Sequence, residues 1–409
     1  MKKFTSYLTE QKNTHMEHLE DAVLNGGVQG TRDAINLLRS LRDMLSGHSD
    51  AAVNVTVKWD GAPAVFAGID PEDGKFFVAK KGLFNKEPKM YKSNADIDAD
   101  TTGDLAAKLK VALKYFPELG ITNGLYQGDF LFEKKDLKTE TIDGEKMVTF
   151  HPNTIVYAVP FNSQLGRTIR ASKVGIVWHT TYTGTSIKDM KANFGQDIAS
   201  KFKATRNVFS TDATFQDVSG NATFTEKENK EITTLLSNAG KVFRQLDAKT
   251  LNGISEDALL LQKVKTHYNT KVRAGERITN VRNHVRDLVN YITSFYAKEE
   301  EKRKSEKGKL AQRTKRDEVL KFFSNANVRH LQNIFLMMNY IIAAKEMVIK
   351  KMDQANNVGT FLKTTSGFKV TSPEGYVGID RNGDALKLVD RMEFSKSNFD
   401  PEIIKGWQR

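Results

Sequence analysis

Apolar and polar residues alternate in VNVTVK at 53–58, where Val53, Val55 and Val57 share one face, so a half-buried strand is predicted there. The same pattern predicts strands in PAVFAGI at 63–69 and KFFVAKKGLF at 75–84, with the turn DPEDG between them. GLYQGDFLFEKK at 124–135, MVTFHPNTIVYAVPF at 147–161 and KVGIVWHTTYTG at 173–184 continue the series, with a hairpin tip at Asp143-Gly144. Helical spacing governs elsewhere. Residues 1–47 read as helical, and Ile35, Leu37, Leu38, Leu41 and Leu45 fall near one face of a helix that Thr31 would cap. A further helix is predicted over 103–116.

From about 225 to 355 the strand patterns stop, proline is absent, and helical patterns such as EITTLLSNAGKVFRQL and VRHLQNIFLMMNYIIAAKEMVIKKM take over. KEEEKRKSEKGKLAQRTKRDE at 298–318 reads as an exposed helix or a mobile link. Strands return in GTFLKTTSGFKVT, GYVGID and ALKLVDRMEF between 359 and 394. Strand–helix–strand order implies an α+β protein in which a helical insertion, 225–355, divides one sheet-rich domain into segments 1–224 and 356–409.

The formal charge of the 409 residues is +12. Residues 226–353 hold 26 Lys+Arg against 16 Asp+Glu, a surplus of ten, so the helical region carries most of it. Such a surplus favours a polyanionic partner, nucleic acid first. The absence of cysteine excludes disulfides, thiolate metal sites and cysteine nucleophiles. The N-terminal stretch lacks the apolar core of a secretory signal, and IFLMMNYIIAA at 334–344 is too short to span a bilayer. A soluble, cytoplasmic monomer with no membrane partner is expected.

Lys58 sits where a buried strand meets the Asp60-Gly61 turn. A strand-end lysine beside an apolar wall can lose its proton and become a nucleophile. KWDG at 58–61 is followed in order by VAKKG at 78–82, YQGDFLF at 126–132, IVYAVPF at 155–161, EGYVGI at 374–379 and LKLVDR at 386–391. This series resembles the ordered motifs of the covalent nucleotidyltransferases, and is most similar to the ATP-dependent RNA ligases of the phage single-strand type. The likeness covers about 58–180 and 358–392.

The resemblance implies a nucleotidyltransferase fold with antiparallel sheets around a nucleotide cleft, and the use of ATP with Mg²⁺ or Mn²⁺. It implies Lys58 as the nucleophile that takes AMP, Lys387 and Lys81 as phosphate-facing cations, and Glu374 and Asp129 as metal-binding carboxylates. Thr56, Val57, Asp60, Gly61, Asp129, Tyr157 and Glu374 would line the nucleotide site, with Tyr157 stacked on the base. AMP would pass from Lys58 to a 5′-phosphate end, and a 3′-hydroxyl would displace it.

Three departures stand out. Pro63 and Val389 occupy places where many relatives of this type carry Arg and Lys, and only 18 residues follow Arg391, too few for an OB domain. Arg391 or a residue of the insertion would then compensate for Val389. Lys302, Arg303, Lys304, Arg313, Lys315 and Arg316 of the insertion are the candidates for holding RNA. A capping-type guanylyltransferase, a DNA ligase, and a non-catalytic nucleic-acid-binding protein with a decayed pocket are the alternatives. His15 and His18 read as surface histidines of a helix, with a shared metal as the rival reading, and His179 as a packed histidine.

Overall fold

A computed structural model of the chain describes residues 16–47, 54–215, 222–355, 358–365, 367–379 and 385–407. His15 and the turn at 381–384 lie outside the described residues. The first part of the chain runs β1 (Glu17–His18), α1 (Asp21–Leu45), β2 (Asn54–Lys58), β3 (Ala64–Ile69), β4 (Phe76–Ala79), α2 (Asn94–Asp100), α3 (Gly103–Tyr115), β5 (Leu125–Glu133), β6 (Lys138–Ile142), β7 (Glu145–Phe150), β8 (Ile155–Pro160), α4 (Gln164–Ala171), β9 (Val174–Thr183), β10 (Lys191–Phe194) and β11 (Val208–Asp212). Six helices follow: α5 (Glu226–Arg244), α6 (Ala248–Glu256), α7 (Ala258–Arg273), α8 (Val281–Glu301), α9 (Glu306–Lys321) and α10 (Asn325–Asp353). The chain returns through β12 (Gly359–Thr364), β13 (Gly367–Val370), β14 (Gly375–Ile379), β15 (Ala385–Leu388) and α11 (Arg391–Phe399). Among the described residues no helix is long and apolar enough to cross a membrane.

The protein is α+β, with three sheets among the described residues. One has the strand order β1-β15-β14-β2. The second runs β10-β9-β5-β3-β4 with β11 beside β9, and the third runs β13-β12-β8-β7-β6. Wholly antiparallel sheets were expected, but β1 pairs with β15, and β11 with β9, in parallel. Both parallel partners come from far along the chain, so no hairpin signal marks them.

Four local expectations change. Residues 17–18 are strand rather than helix. Thr31 is no cap: α1 begins ten residues earlier, at Asp21, bends where Gly27 takes φ 55°, and buries Thr31, whose hydroxyl donates to the Gly27 carbonyl at 2.8 Å. The charged stretch 298–318 is two helices, broken before Ser305, whose hydroxyl accepts from Gly308 N–H. The last predicted strand stops at Leu388, because the Asp390 carboxylate accepts from the Met392 and Glu393 N–H groups and starts α11.

The helical region is no appendage. In α10, Leu331, Ile334, Met338, Ile341, Val348 and Met352 are buried at three-, four- and seven-residue spacing. They share one core with Leu38 and Leu41 of α1 and with Tyr376 and Leu388 from the first sheet. Each such side chain contributes about 1.5–3 kcal/mol on burial. The helices therefore back the sheet that carries Lys58 and Lys387.

Inside this core His267 of α7 and His284 of α8 stand with ring centroids 4.8 Å apart. Nδ1 of His267 and Nε2 of His284 are shut off from solvent with no partner. Burial, then His267 and Lys271, push His284 down to about 3. The unfolded chain, at about 6.5, takes up this proton first as pH falls. Stability fully present above about pH 6.5 should drain away as pH drops towards 3, by ~2 kcal/mol at about pH 5 from this group alone. Urea unfolding at neutral and mildly acid pH measures it. In His284→Gln the acid loss should shrink by that amount, and an unchanged loss would clear His284 as its source.

Candidate active site

Strand register gathers the candidate residues. Gly375 lies opposite Lys58, and Val377 opposite Thr56. Lys387 lies opposite Val377, and His18 lies beside Lys387. Residues opposite one another across a sheet share a face, and side chains alternate along each strand. Thr56, Val377, Lys387 and His18 thus form a row on one face, with Lys58 one step along it. That face looks across a cleft at the second sheet, where Asp129 of β5 and Val177 and His179 of β9 point back. Met16, Trp59, Phe194 and Ala213 complete the walls. Val57 has the opposite orientation and packs on the helical core, so its contribution to the cleft is confined to backbone.

Lys58 Nζ makes an ion pair with Glu374, the residue just before β14; their side chains are 22% and 12% exposed. Burial pulls the Lys58 ammonium down, but the Glu374 carboxylate, backed by Asp129 and Asp60, outweighs it and holds Lys58 above its ordinary value. Burial lifts Glu374 to about 7 against the pull of Lys58. Lys387 stands below its ordinary value, through burial first and then the Lys58 charge. Lys81 is exposed on the turn after β4, close enough for its charge to act on Lys387. Its neighbour Lys80 is bound to Asp100 at 2.8 Å.

Asp60 was expected to meet the nucleotide, and the structure gives it another task. Its buried carboxylate accepts from Asn153 Nδ2 at 2.6 Å, Thr154 N–H at 2.7 Å and Ile155 N–H at 2.8 Å. It thereby pins the β7–β8 connection under the Lys58 turn. Gly61 completes the turn against β5: a side chain there would collide with Asp129, and the next N–H, of Ala62, donates to Phe130 O at 2.9 Å. Asp60→Ala would strand two enclosed backbone N–H groups, at a cost of about 3 kcal/mol. Chemical denaturation of the variant measures this, and a loss below about 1 kcal/mol would show that the clamp is dispensable.

Tyr157 is corrected. Its strand, β8, belongs to the third sheet, not to the cleft wall. The ring is buried between Trp59, at 4.8 Å, and Phe150, at 5.3 Å. Its hydroxyl accepts from the Asp60 N–H at 2.6 Å. It has no face left for a base. The ring that does face the cleft on the strand next to Asp129 is His179, whose Nε2 is 3.7 Å from Asp129 Oδ1.

His18 is corrected too. It lies on a strand, facing inward, and its Nδ1 is enclosed without a partner. Arg391 does not reach the cleft as a substitute cation. It donates to Asp21 Oδ1 at 2.9 Å and Asn269 Oδ1 at 2.6 Å, joining the N-terminal segment to α7. Val389 is buried opposite Gly375, where a Cβ would run into the Leu388 carbonyl and Val389 itself. Lys345, at 1% exposure, sits in the apolar stripe of α10 and donates to Glu20 Oε2 and to Val389 O, each at 2.8 Å.

The basic run of the insertion largely neutralises itself. Lys302 pairs with Glu299 at 2.6 Å, Arg313 with Glu300 at 2.5 Å and Arg316 with Asp317 at 2.9 Å, while Arg303 is 3.7 Å from Glu299. Lys304 and Lys315 have no such partner among the described residues. Counting charges along the sequence could not separate paired from free ones.

The chain belongs to DUF6267, a family of unknown function, whose model matches residues 13–402. No curated protein and no solved structure matches it.

Proposed function

We propose that the protein is an ATP-dependent RNA ligase that works through a lysyl–AMP intermediate. The observation that carries the reading is the placement of Lys58 and Asp129 in one cleft, with Glu374 paired to Lys58 and Lys387 in the same cross-strand row as Thr56 and Val377. Lys58 is the nucleophile. It must shed its proton before it attacks, and Glu374 is the group in contact with it. Lys387 and Lys81 face charge growing on the phosphate oxygens. His179 and Trp59 offer rings to the base.

The cleft is narrow, about 50 Å³. Pockets for drug-sized ligands run to roughly 300 Å³ or more. Nucleotide entry therefore requires the cleft to widen.

Asp129 and Glu374 offer hard oxygen donors, which suit Mg²⁺ or Mn²⁺. No group of three or more metal-binding side chains exists among the described residues. A cation that keeps water and phosphate oxygens as ligands needs no such cage. Asp129 and Glu374 would hold it, and it would neutralise phosphate charge.

Incubation with radiolabelled ATP or GTP, followed by denaturing electrophoresis, tests the first step. Label from ATP is expected, label from GTP alone would mean a capping-type enzyme, and no label from either would refute covalent nucleotidyl transfer. Ligation of a 5′-phosphorylated RNA strand tests the rest. Where the insertion meets RNA, the free Lys304 and Lys315 are the groups to expect at phosphates. Each single-strand phosphate contact contributes ~0.7 to the log–log salt slope of binding, so neutralising both should lower it by about 1.4. An unchanged slope would place the RNA on another surface.

A further inference from the structure

We infer that His18 and Lys387 together form the seat for the pyrophosphate end of the nucleoside triphosphate, a role that rests on the adenylylation reading. The first support is placement. His18 and Lys387 are side by side on β1 and β15, on the face that holds Thr56 and Val377, and Leu19 N–H donates to Lys387 O at 3.0 Å to fix the edge. The second is unmet bonding. His18 Nδ1 is enclosed without a partner, and the half-buried Lys387 has no acidic partner within bonding distance among the described residues. An enclosed polar atom without a partner costs about 1–3 kcal/mol and calls for an explanation.

The third support is the charge balance. The acids nearby are already engaged: Glu374 with Lys58, Glu20 with Lys345, Asp21 with Arg391. Among the described residues neither Lys387 nor Lys81 has a carboxylate within ion-pair distance, so an anion is the partner they fit. The imidazole fits that anion as a neutral donor. Burial, then Arg391, Lys345, Lys387 and Lys58, push His18 down to about 2. A neutral ring carries one N–H. With that proton on Nδ1, the enclosed N–H is a donor whose acceptor is missing, and a phosphate oxygen in the seat would supply it.

Direction supplies the fourth support. Displacement at phosphorus is in line. Lys58 Nζ forms the P–N bond to the α-phosphorus, the bond from phosphorus to the bridging oxygen breaks on the opposite side, and its electron pair leaves with pyrophosphate. The Lys58 proton goes to Glu374. Starting from β2, the side away from Lys58 lies over β15 and β1. Lys387 and then His18 are the groups met there.

Pyrophosphate itself is the probe. Titration calorimetry on the full chain should give a Kd for pyrophosphate about tenfold weaker in His18→Gln than in wild type, the loss of one hydrogen bond to a charged group. AMP affinity should change by less than about twofold, and KM for ATP in lysyl–AMP formation should rise while kcat holds. Equal pyrophosphate affinities would overturn the seat. If wild type binds pyrophosphate and His18→Gln does not, yet no lysyl–nucleotide ever forms, the seat stands and the adenylylation reading falls. If both proteins form lysyl–AMP with the same KM, the reverse holds. The ¹⁵N resonances of the His18 ring in wild type give a check independent of any variant: they should move on adding pyrophosphate, and fixed resonances would overturn the seat.

Discussion

Lys58→Ala, incubated with ATP and Mg²⁺, is expected to keep its unmodified mass, whereas the wild-type chain gains one AMP. Intact-mass spectrometry under denaturing conditions reads this directly, because a phosphoramidate survives unfolding. Lys58→Arg should be equally silent, since a guanidinium stays protonated and cannot attack. The fold should survive both changes. Lys58 is partly exposed at a strand end, and its partner Glu374, lifted to about 7 by burial, can take a proton when the ammonium is removed. Glu374→Ala and Lys387→Ala should retain the adduct but form it at least tenfold more slowly, ~1.4 kcal/mol of lost transition-state stabilisation. An AMP adduct on Lys58→Ala would move the nucleophile elsewhere. Lys387 would be the next amine to examine, because it lies in the same cross-strand row as Thr56 and burial already holds it below its ordinary value.

What the sequence makes legible here follows from the range of each signal. Alternation and turn residues act over a few positions. They locate β2 and the Lys58 turn, the β14–β15 pair that brings Lys387 opposite Val377, and the helical region after 225. They say nothing of which strand joins which sheet. IVYAVP and VGIVWHTTYT are both apolar, aromatic-bearing strands, yet only the second pairs with β5 beside Asp129, so local pattern alone cannot tell that His179, and not Tyr157, stands on the cleft wall. His18 was hidden for the same reason. Its strand is two residues long, and its partner Lys387 is near the other end of the chain. Lys345 is concealed differently: at its position the apolar stripe of α10 demands a buried side chain, and no local pattern discloses that Glu20 and the Val389 carbonyl await a cation there.

That lysine gives the second large effect. Lys345 and Glu20 are each almost wholly enclosed, and Glu20 follows the β1 strand while Val389 follows β15. Lys345→Met preserves the length and apolar stem of the side chain but leaves the Glu20 carboxylate buried without its counter-ion. Such a broken pair costs about 3–5 kcal/mol, well above the ~1 kcal/mol of the hydrogen bond lost at Val389. Urea unfolding should show a lower midpoint at unchanged slope. Replacing both partners, Lys345→Met with Glu20→Met, removes the stranded charge. The double variant should therefore be more stable than Lys345→Met alone, because two apolar groups suit this interior better than one unpaired carboxylate. Lysyl–AMP formation supplies a second reading of the same variants. The Lys345 ammonium grips the backbone two residues beyond Lys387, so both variants should adenylylate more slowly than wild type even where stability recovers. A double variant less stable than Lys345→Met would mean that Glu20 is held mainly by Arg391, 3.7 Å away, and that the helices are locked to the sheet carrying Lys58 through that guanidinium instead.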